Sequence, residues 1–101
     1  MRIIARRTLR EFYSQNNAKY ADAKPGLDAW YQEAKKAEWR NPGDIKKLYK
    51  SASILKGGRV VFNIAGNKYR LIVWINYAAQ IVYICFIGTH RQYDKIDAET
   101  V

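Results

Sequence analysis

The sequence predicts a mixed α/β (α+β) fold. Two helices pack on one face of a mostly antiparallel four-stranded sheet, in the order β-α-α-β-β-β with a short helix at the end. Three observations predict it. Leu27, Trp30, Tyr31 and Ala34 recur at i, i+3, i+4 and i+7, the stripe of an amphipathic helix. RVVFNI (59–64) and KYRLIVWI (68–75) flank the short loop AGN (65–67) as two strands of a hairpin do, with Val60, Phe62, Ile64, Tyr69, Leu71, Val73 and Ile75 on one face and Arg59, Val61, Asn63, Arg70, Ile72 and Trp74 on the other. IVYICFI (81–87), after the turn NYAAQ, reads as a third, buried strand of the same meander.

The elements follow in order. RIIA (2–5) is a short first strand. Residues 8–15 form a first helix, with Leu9, Phe12 and Tyr13 on one side, and SQNN breaks it. Pro25 and Gly26 mark the approach to the second helix, which has Asp28 in its first turn and Lys35 and Lys36 late, as the helix dipole favours. Asn41-Pro42-Gly43 is expected to end it. GDIKKLYKSASILKGG (43–58) is a basic connection whose two final glycines release the chain into the hairpin. Gly66 and Asn67 are the loop residues that tolerate positive φ. Along the hairpin Val60, Phe62, Ile64, Tyr69, Leu71, Val73 and Ile75 share the core face. Arg59, Asn63 and Arg70 then meet on the opposite, partly open face, unless the register slips by one residue.

At 101 residues, with 49% hydrophobic and 14% aromatic residues, residues 1–101 are read as one globular domain. Cys85 is the sole cysteine, so no internal disulfide forms, and it reads as a small core residue. No Cys/His set has metal-ligand spacing, and the residues call for no metal and no cofactor. The charged N-terminal stretch MRIIARRTLREF is not a secretory signal, and no apolar run is a membrane span, which points to the cytoplasm. Eighteen Lys and Arg face nine Asp and Glu. Sixteen of those basic residues, but only six of the acidic ones, lie in residues 1–70. Such a concentrated positive field attracts polyanions, nucleic acid foremost. Lys46, Lys47 and Lys50 give affinity for RNA without chemistry.

The one histidine, His90, sits in IGTHRQYDKID (87–97), directly after the last strand. Thr89 and Gln92 fit a capping box, with His90 opening the helix and Tyr93 three residues on, on the same side. The positive end of a helix favours neutral imidazole, the form a general base needs. Cleavage of RNA without metal requires a base for the 2′-hydroxyl, an acid for the leaving oxygen, cations for the phosphorane and something to splay the bases. His90 can serve as base or acid and Tyr93 as a proton donor or a stacking platform. Arg70 can hold a phosphate in bidentate fashion, Lys68 adds a point charge, and Trp74 or other exposed aromatics can stack on bases. Each residue also has a plain structural reading: a hydrogen-bonding histidine, a packing tyrosine, an arginine neutralising Asp94 or Asp97, and lysines on a solvated face.

FNIAGNKYRL (62–71) and GTHRQYDKID (88–97), with the aromatic TLREF and DAWYQEAKKAEW helices, closely resemble the HigB toxins of the RelE/ParE-like superfamily, over nearly the whole chain. The resemblance implies a RelE-like compact domain that cleaves mRNA, typically on a translating ribosome. It also implies a HigA-type helix-turn-helix antitoxin as partner in a hetero-oligomer. It assigns the active surface to Asn67, Lys68, Arg70, Thr89, His90, Tyr93 and Asp94. On this reading His90, Tyr93 and Arg70 carry the chemistry. Lys68, Asn67, Arg59, Lys46, Lys47 and Lys50 bind RNA, and Thr89 and Asp94 support the site. Some superfamily members poison gyrase instead, so a non-catalytic toxin that blocks gyrase or the ribosome is the alternative.

Overall fold

The computed structural model describes the backbone of residues 1–101 and the side chains of all but Asn16. The first strand, β1 (Arg2–Ile4), leads through Ala5, at φ 73°, straight into helix α1 (Arg6–Ser14). The helix thus starts two residues before the apolar stripe suggests, because the left-handed turn at Ala5 has already redirected the chain. Two short 3₁₀ turns, Asn16–Ala18 and Ala21–Ala23, separate it from α2 (Lys24–Lys36). Pro25 lies in the first turn of α2, where its missing N–H costs nothing. Leu27, Trp30 and Ala34 are buried along it, and Tyr31 is half-buried with the Arg6 guanidinium 4.0 Å above its ring. Lys35 and Lys36 do fall in the last turn. Asp28 lies past the first turn and pairs with Lys24 at 2.6 Å.

Asn41-Pro42-Gly43 does not end the second helix, which stops at Lys36. It starts a third, α3 (Pro42–Leu48), inside the stretch read as a plain connection. Asn41 is its N-cap, accepting from the Asp44 N–H at 3.0 Å, and Pro42 follows at the position proline favours. A single core-facing residue, Ile45, anchors this short helix, which is why no stripe announces it.

A further strand, β2 (Ser53–Ile54), and a turn at Lys56–Gly58 lead into β3 (Arg59–Ile64), β4 (Tyr69–Asn76) and β5 (Ile81–Thr89); α4 (His90–Tyr93) follows. The sheet has five strands, not the expected four, in the order β1-β5-β4-β3-β2. β1 pairs in parallel with β5, and the other neighbours are antiparallel. β2 escapes sequence reading because it is two exposed residues at a sheet edge, with no alternation to read. In the hairpin loop the positive φ values fall on Ala65 and Gly66, not on Asn67.

The hairpin register matches the alternation. Val60, Phe62, Ile64, Tyr69, Leu71, Val73 and Ile75 face the helices and form the core with Leu9, Leu27, Trp30, Trp39 and Ile45. β5 keeps this side apolar through a bulge. Ile72 pairs with Phe86 but Val73 with Ile84, so Cys85 is the extra residue, and both Ile84 and Ile87 reach the core. Phe62 is the aromatic hub, with ring centroids 5.5 Å from Trp30, 6.1 Å from Trp39 and 5.0 Å from Tyr49.

The opposite face is less open than expected. Val61 and Ile72 lie on it and are as buried as core residues, yet stand apart from the main core. The C-terminal segment spans this face. It begins with α4 packed on β4 and β5, continues through half-buried Ile96 and Ala98, and ends with the main-chain oxygen of Val101 on Arg59. No helix is long and apolar enough to cross a membrane.

Because Phe62 joins α2, the segment at Trp39 and the residue after α3, Phe62→Ala is expected to destabilise the protein by about 3–5 kcal/mol. Leu48→Ala, at a position 55% exposed, should stay within about 0.5 kcal/mol of wild type. Urea unfolding followed by tryptophan fluorescence measures both.

Candidate active site

The candidate site is built across the outer sheet face where β3, β4 and β5 run side by side. Register places Asn63 opposite Arg70, and Arg70 opposite Gly88, in one row across three strands. The Asn63 side-chain oxygen accepts from Arg70 Nη1, and its amide nitrogen donates to the Ser51 carbonyl at 3.5 Å. One amide thus ties the guanidinium to the segment between α3 and β2. Arg70 Nε–H is buried with no acceptor among the described residues. Nε is out of reach of a ligand, so it is the terminal Nη groups, one of them held by Asn63, that can meet an oxyanion.

β5 then delivers α4. Thr89 is its N-cap, with Gln92 N–H donating to Thr89 Oγ1 at 3.1 Å and Thr89 N–H donating to Gln92 Oε1 at 2.9 Å, the complete capping box. This box needs Gly88. A Cβ there would fall 2.6 Å from the Phe86 ring and 2.8 Å from Gln92 Oε1, inside any tolerated contact. The short helix sets Tyr93 over the Arg70 guanidinium at 5.5 Å and leaves the His90 and Tyr93 ring centroids 6.5 Å apart. Asp94 closes the arrangement. Its carboxylate lies 3.1 Å from His90 Nδ1, one helical turn back, and neither group is buried. With Nδ1–H given to Asp94, Nε2 is the nitrogen left to exchange a proton. Arg70, Thr89, His90, Tyr93 and Asp94 therefore converge on one surface. Asp94 engages His90, not Arg70.

The remaining residues divide. Lys68 turns away and pairs with Asp22, which also accepts from the Tyr69 hydroxyl. Tyr69 is buried against Phe12 and Tyr20 on the helix side, so this cluster clamps the hairpin to the turn before α2. Asn67 is exposed in the hairpin loop. Lys46 Nζ donates to the Lys50 and Ala52 carbonyls at 2.5 and 2.7 Å and braces the end of α3. Lys47 and Lys50 are exposed, and Lys50 adjoins Ser51 at the edge of the Asn63–Arg70 row. Arg59 lies two rows further along the sheet and grips Val101. No three His, Cys, Asp or Glu among the described residues are grouped to hold a metal ion.

Two contributors were not among the predicted site residues. Asn63 shares the face with Arg70 by alternation, and its hydrogen bond could have been read from that pairing. Asp22 carries no such signal, since its partners lie 46 and 47 residues away.

Comparison with known proteins agrees with the resemblance. Residues 23–96 match the model of the HigB toxin family, described as the RelE-like toxic component of a toxin–antitoxin system. The chain is similar to the mRNA interferase toxin HigB of Escherichia coli (strain K12), 29% identical over 82 residues that cover 79% of each chain. The proteins named mRNA interferase HigB in Escherichia coli O157:H7 and Shigella flexneri match to the same extent, 29% over 79% of each chain.

The Asp22 cluster has two pH signatures. Hydrogen bonds from Lys68 and then Tyr69 hold the Asp22 carboxyl below its ordinary 3.8, so its stabilising effect is complete above that value and is lost as pH falls through the lower, folded pKa. Burial, then the Asp22 hydrogen bond, pushes the Tyr69 phenol up to about 12. Its contribution is therefore complete below pH ~10 and disappears as pH rises through about 12. In Asp22→Asn, unfolding midpoints should lose part of their acid dependence, and phenolate absorbance should show Tyr69 titrating lower than in wild type.

Proposed function

This chain belongs to the HigB family of RelE-like toxins, and we propose that it is an mRNA interferase, an endoribonuclease that cuts messenger RNA and thereby arrests translation and growth. The observation that carries this reading is the convergence of a phosphate holder and a proton carrier. Arg70 lies under the Tyr93 ring, and His90 stands one turn back on the same helix with Asp94 on its Nδ1.

In the reaction we propose, Arg70 takes the non-bridging oxygens of the scissile phosphate, using the N–H groups that Asn63 leaves unused. His90 Nε2 accepts the proton of the adjacent 2′-hydroxyl. That oxygen attacks phosphorus, the bond to the 5′ oxygen breaks, and a proton from Tyr93 or from solvent neutralises the leaving group. The products are a 2′,3′-cyclic phosphate and a 5′-hydroxyl end. Asp94 holds the imidazole in one tautomer and offsets the positive charge it gains, as a buried carboxylate does for a catalytic histidine elsewhere. This step uses the chain's own groups and needs no metal.

A toxin of such a system has an antitoxin as its partner. We propose a HigA-type helix-turn-helix protein in that role, forming a toxin–antitoxin hetero-oligomer, and a message held on the translating cytoplasmic ribosome as the substrate. Lys50, exposed at the edge of the Asn63–Arg70 row, and exposed Lys47 supply affinity for that RNA.

Primer extension on a reporter mRNA after brief expression tests the reading. Wild type should cut within the translated region, and His90→Ala should lose on the order of 10²–10⁴-fold in cleavage rate. Asp94→Asn should lose less, and Arg70→Lys should not substitute for the fork. Growth arrest without any cuts would overturn the nuclease and leave a toxin that blocks its target. Separately, Lys47→Gln with Lys50→Gln should weaken RNA binding and shrink the salt slope by about 0.7 for each phosphate no longer neutralised, measured by filter binding at several salt concentrations.

A further inference from the structure

We propose that Arg59, Trp74 and Tyr83 form a second nucleotide subsite, in which the rings stack on a base and the guanidinium holds a neighbouring phosphate. It rests on the RNA reading above and extends it along the same sheet face. The register makes these three residues neighbours across β3, β4 and β5. They lie on the face that carries Arg70, four residues further along β4, roughly 13 Å from it. Buried Val61 and Ile72 lie between, on the part of this face that the C-terminal segment spans, so an RNA strand from Arg70 reaches them across that segment.

Both rings are half-buried, and neither belongs to the hydrophobic core or packs against its edge. Their centroids are 5.0 Å apart at an interplanar angle of 38°. Core packing accounts for the other two tryptophans, Trp30 and Trp39, which are 1% and 4% exposed, but not for Trp74. Gly58, at φ +82°, lets its turn lie close to the indole edge, where a Cβ would sit 3.1 Å from Nε1. Arg59 pairs with no Asp or Glu among the described residues. Its Nε and Nη2 instead donate together to one oxygen, the main-chain oxygen of Val101, at 3.2 and 3.0 Å. That forked grip is the one a guanidinium applies to a phosphate oxygen. Paired aromatic faces with an adjacent arginine favour single-stranded nucleic acid, since every base has a face to stack. An acidic protein segment would satisfy Arg59 but leave the two rings unused.

Trp74 provides its own probe, being the sole tryptophan that is not fully buried. Titration with a short single-stranded 2′-O-methyl RNA, which lacks the attacking hydroxyl, reads binding without cleavage. Wild-type fluorescence should be quenched saturably. The quench should vanish in Trp74→Phe, whereas a fluorescently labelled copy of the oligonucleotide should bind Trp74→Ala about five- to a hundredfold more weakly. Arg59→Gln, a conservative change at a half-buried position, should also weaken binding and covers the case in which Trp74→Ala fails to fold. Wild-type affinity in folded Arg59→Gln, and in Trp74→Ala where that variant folds, would overturn the subsite, even if the protein cuts mRNA. A Trp74 quench produced by the antitoxin and not by the oligonucleotide would also overturn it, assigning the rings to a protein interface. Quenching by the oligonucleotide in a protein that never cuts RNA would instead count against the nuclease reading alone.

Discussion

The site depends on keeping one guanidinium, that of Arg70, on the outer face of a strand whose inner face is fully committed to the core. Leu71 and Val73 pack inward with no exposed surface. The backbone of β4 is therefore fixed, and with it the point from which Arg70 projects. Asn63, directly opposite in the ladder, is the natural partner to fix one corner of the fork. Tyr93 covers it from the end of the adjacent strand. Holding an arginine by an amide and a ring, not by a carboxylate, leaves its positive charge uncancelled. A carboxylate there would neutralise the group that a phosphate is meant to find, and repel the phosphate besides. The carboxylate that does reach the site, Asp94, is spent on the imidazole.

The hinge between sheet and helix shows how little chain is needed to place the proton carrier. β5 ends at Thr89 and α4 begins at His90, with no loop between them. A helix of four residues has almost no stability of its own. Its geometry comes from the capping box and from packing on β4 and β5, and the box leaves no room for a side chain at Gly88. Gly88 has no unusual φ. It is needed for space, because Phe86 and Gln92 converge on the place where a Cβ would be. The bulge at Cys85 acts on the same strand. The extra residue shifts the phase of alternation, so that Ile84 and Ile87 both reach the core while Gly88 remains in the outer row with Arg70.

Much of this was legible in the sequence, for physical reasons that differ by element. The hairpin strands announce themselves by apolar residues at every second position, and the same period places Arg59, Asn63 and Arg70 together. The capping box is local, so Thr89 and Gln92 predict it from their spacing alone. α3 was missed because Asn-Pro-Gly is equally a stop signal and a start signal, and one buried isoleucine makes no stripe. β2 was missed because a two-residue edge strand exists only through its neighbour. The covering of the outer face was not legible, since Tyr93, Ile96, Ala98 and Val101 follow no regular period. Nor was the diversion of Lys68, which depends on Asp22 from a distant turn.

These diversions change what the net charge of +9 means. A cation that already donates to its own chain must give up that bond before it contacts a phosphate, so it adds less to affinity than a solvated one. Lys46 holds two carbonyls, Lys68 holds a carboxylate, and Arg59 holds the main-chain oxygen of Val101. The three are not equivalent. Lys68 would have to break an ion pair and strand Asp22, and Lys46 would unbrace the end of α3. Arg59 gives up only a main-chain oxygen outside the helices and strands, and leaves no side chain of its own fold stranded. Of the basic residues the sequence nominated, the ones best able to engage RNA are thus Arg70, Lys47, Lys50 and Arg59. All but Lys47 map to the outer sheet face or its edge. The charge that counts is a line along one face of the sheet, and it runs from the arginine beside the imidazole to the arginine beside the paired rings.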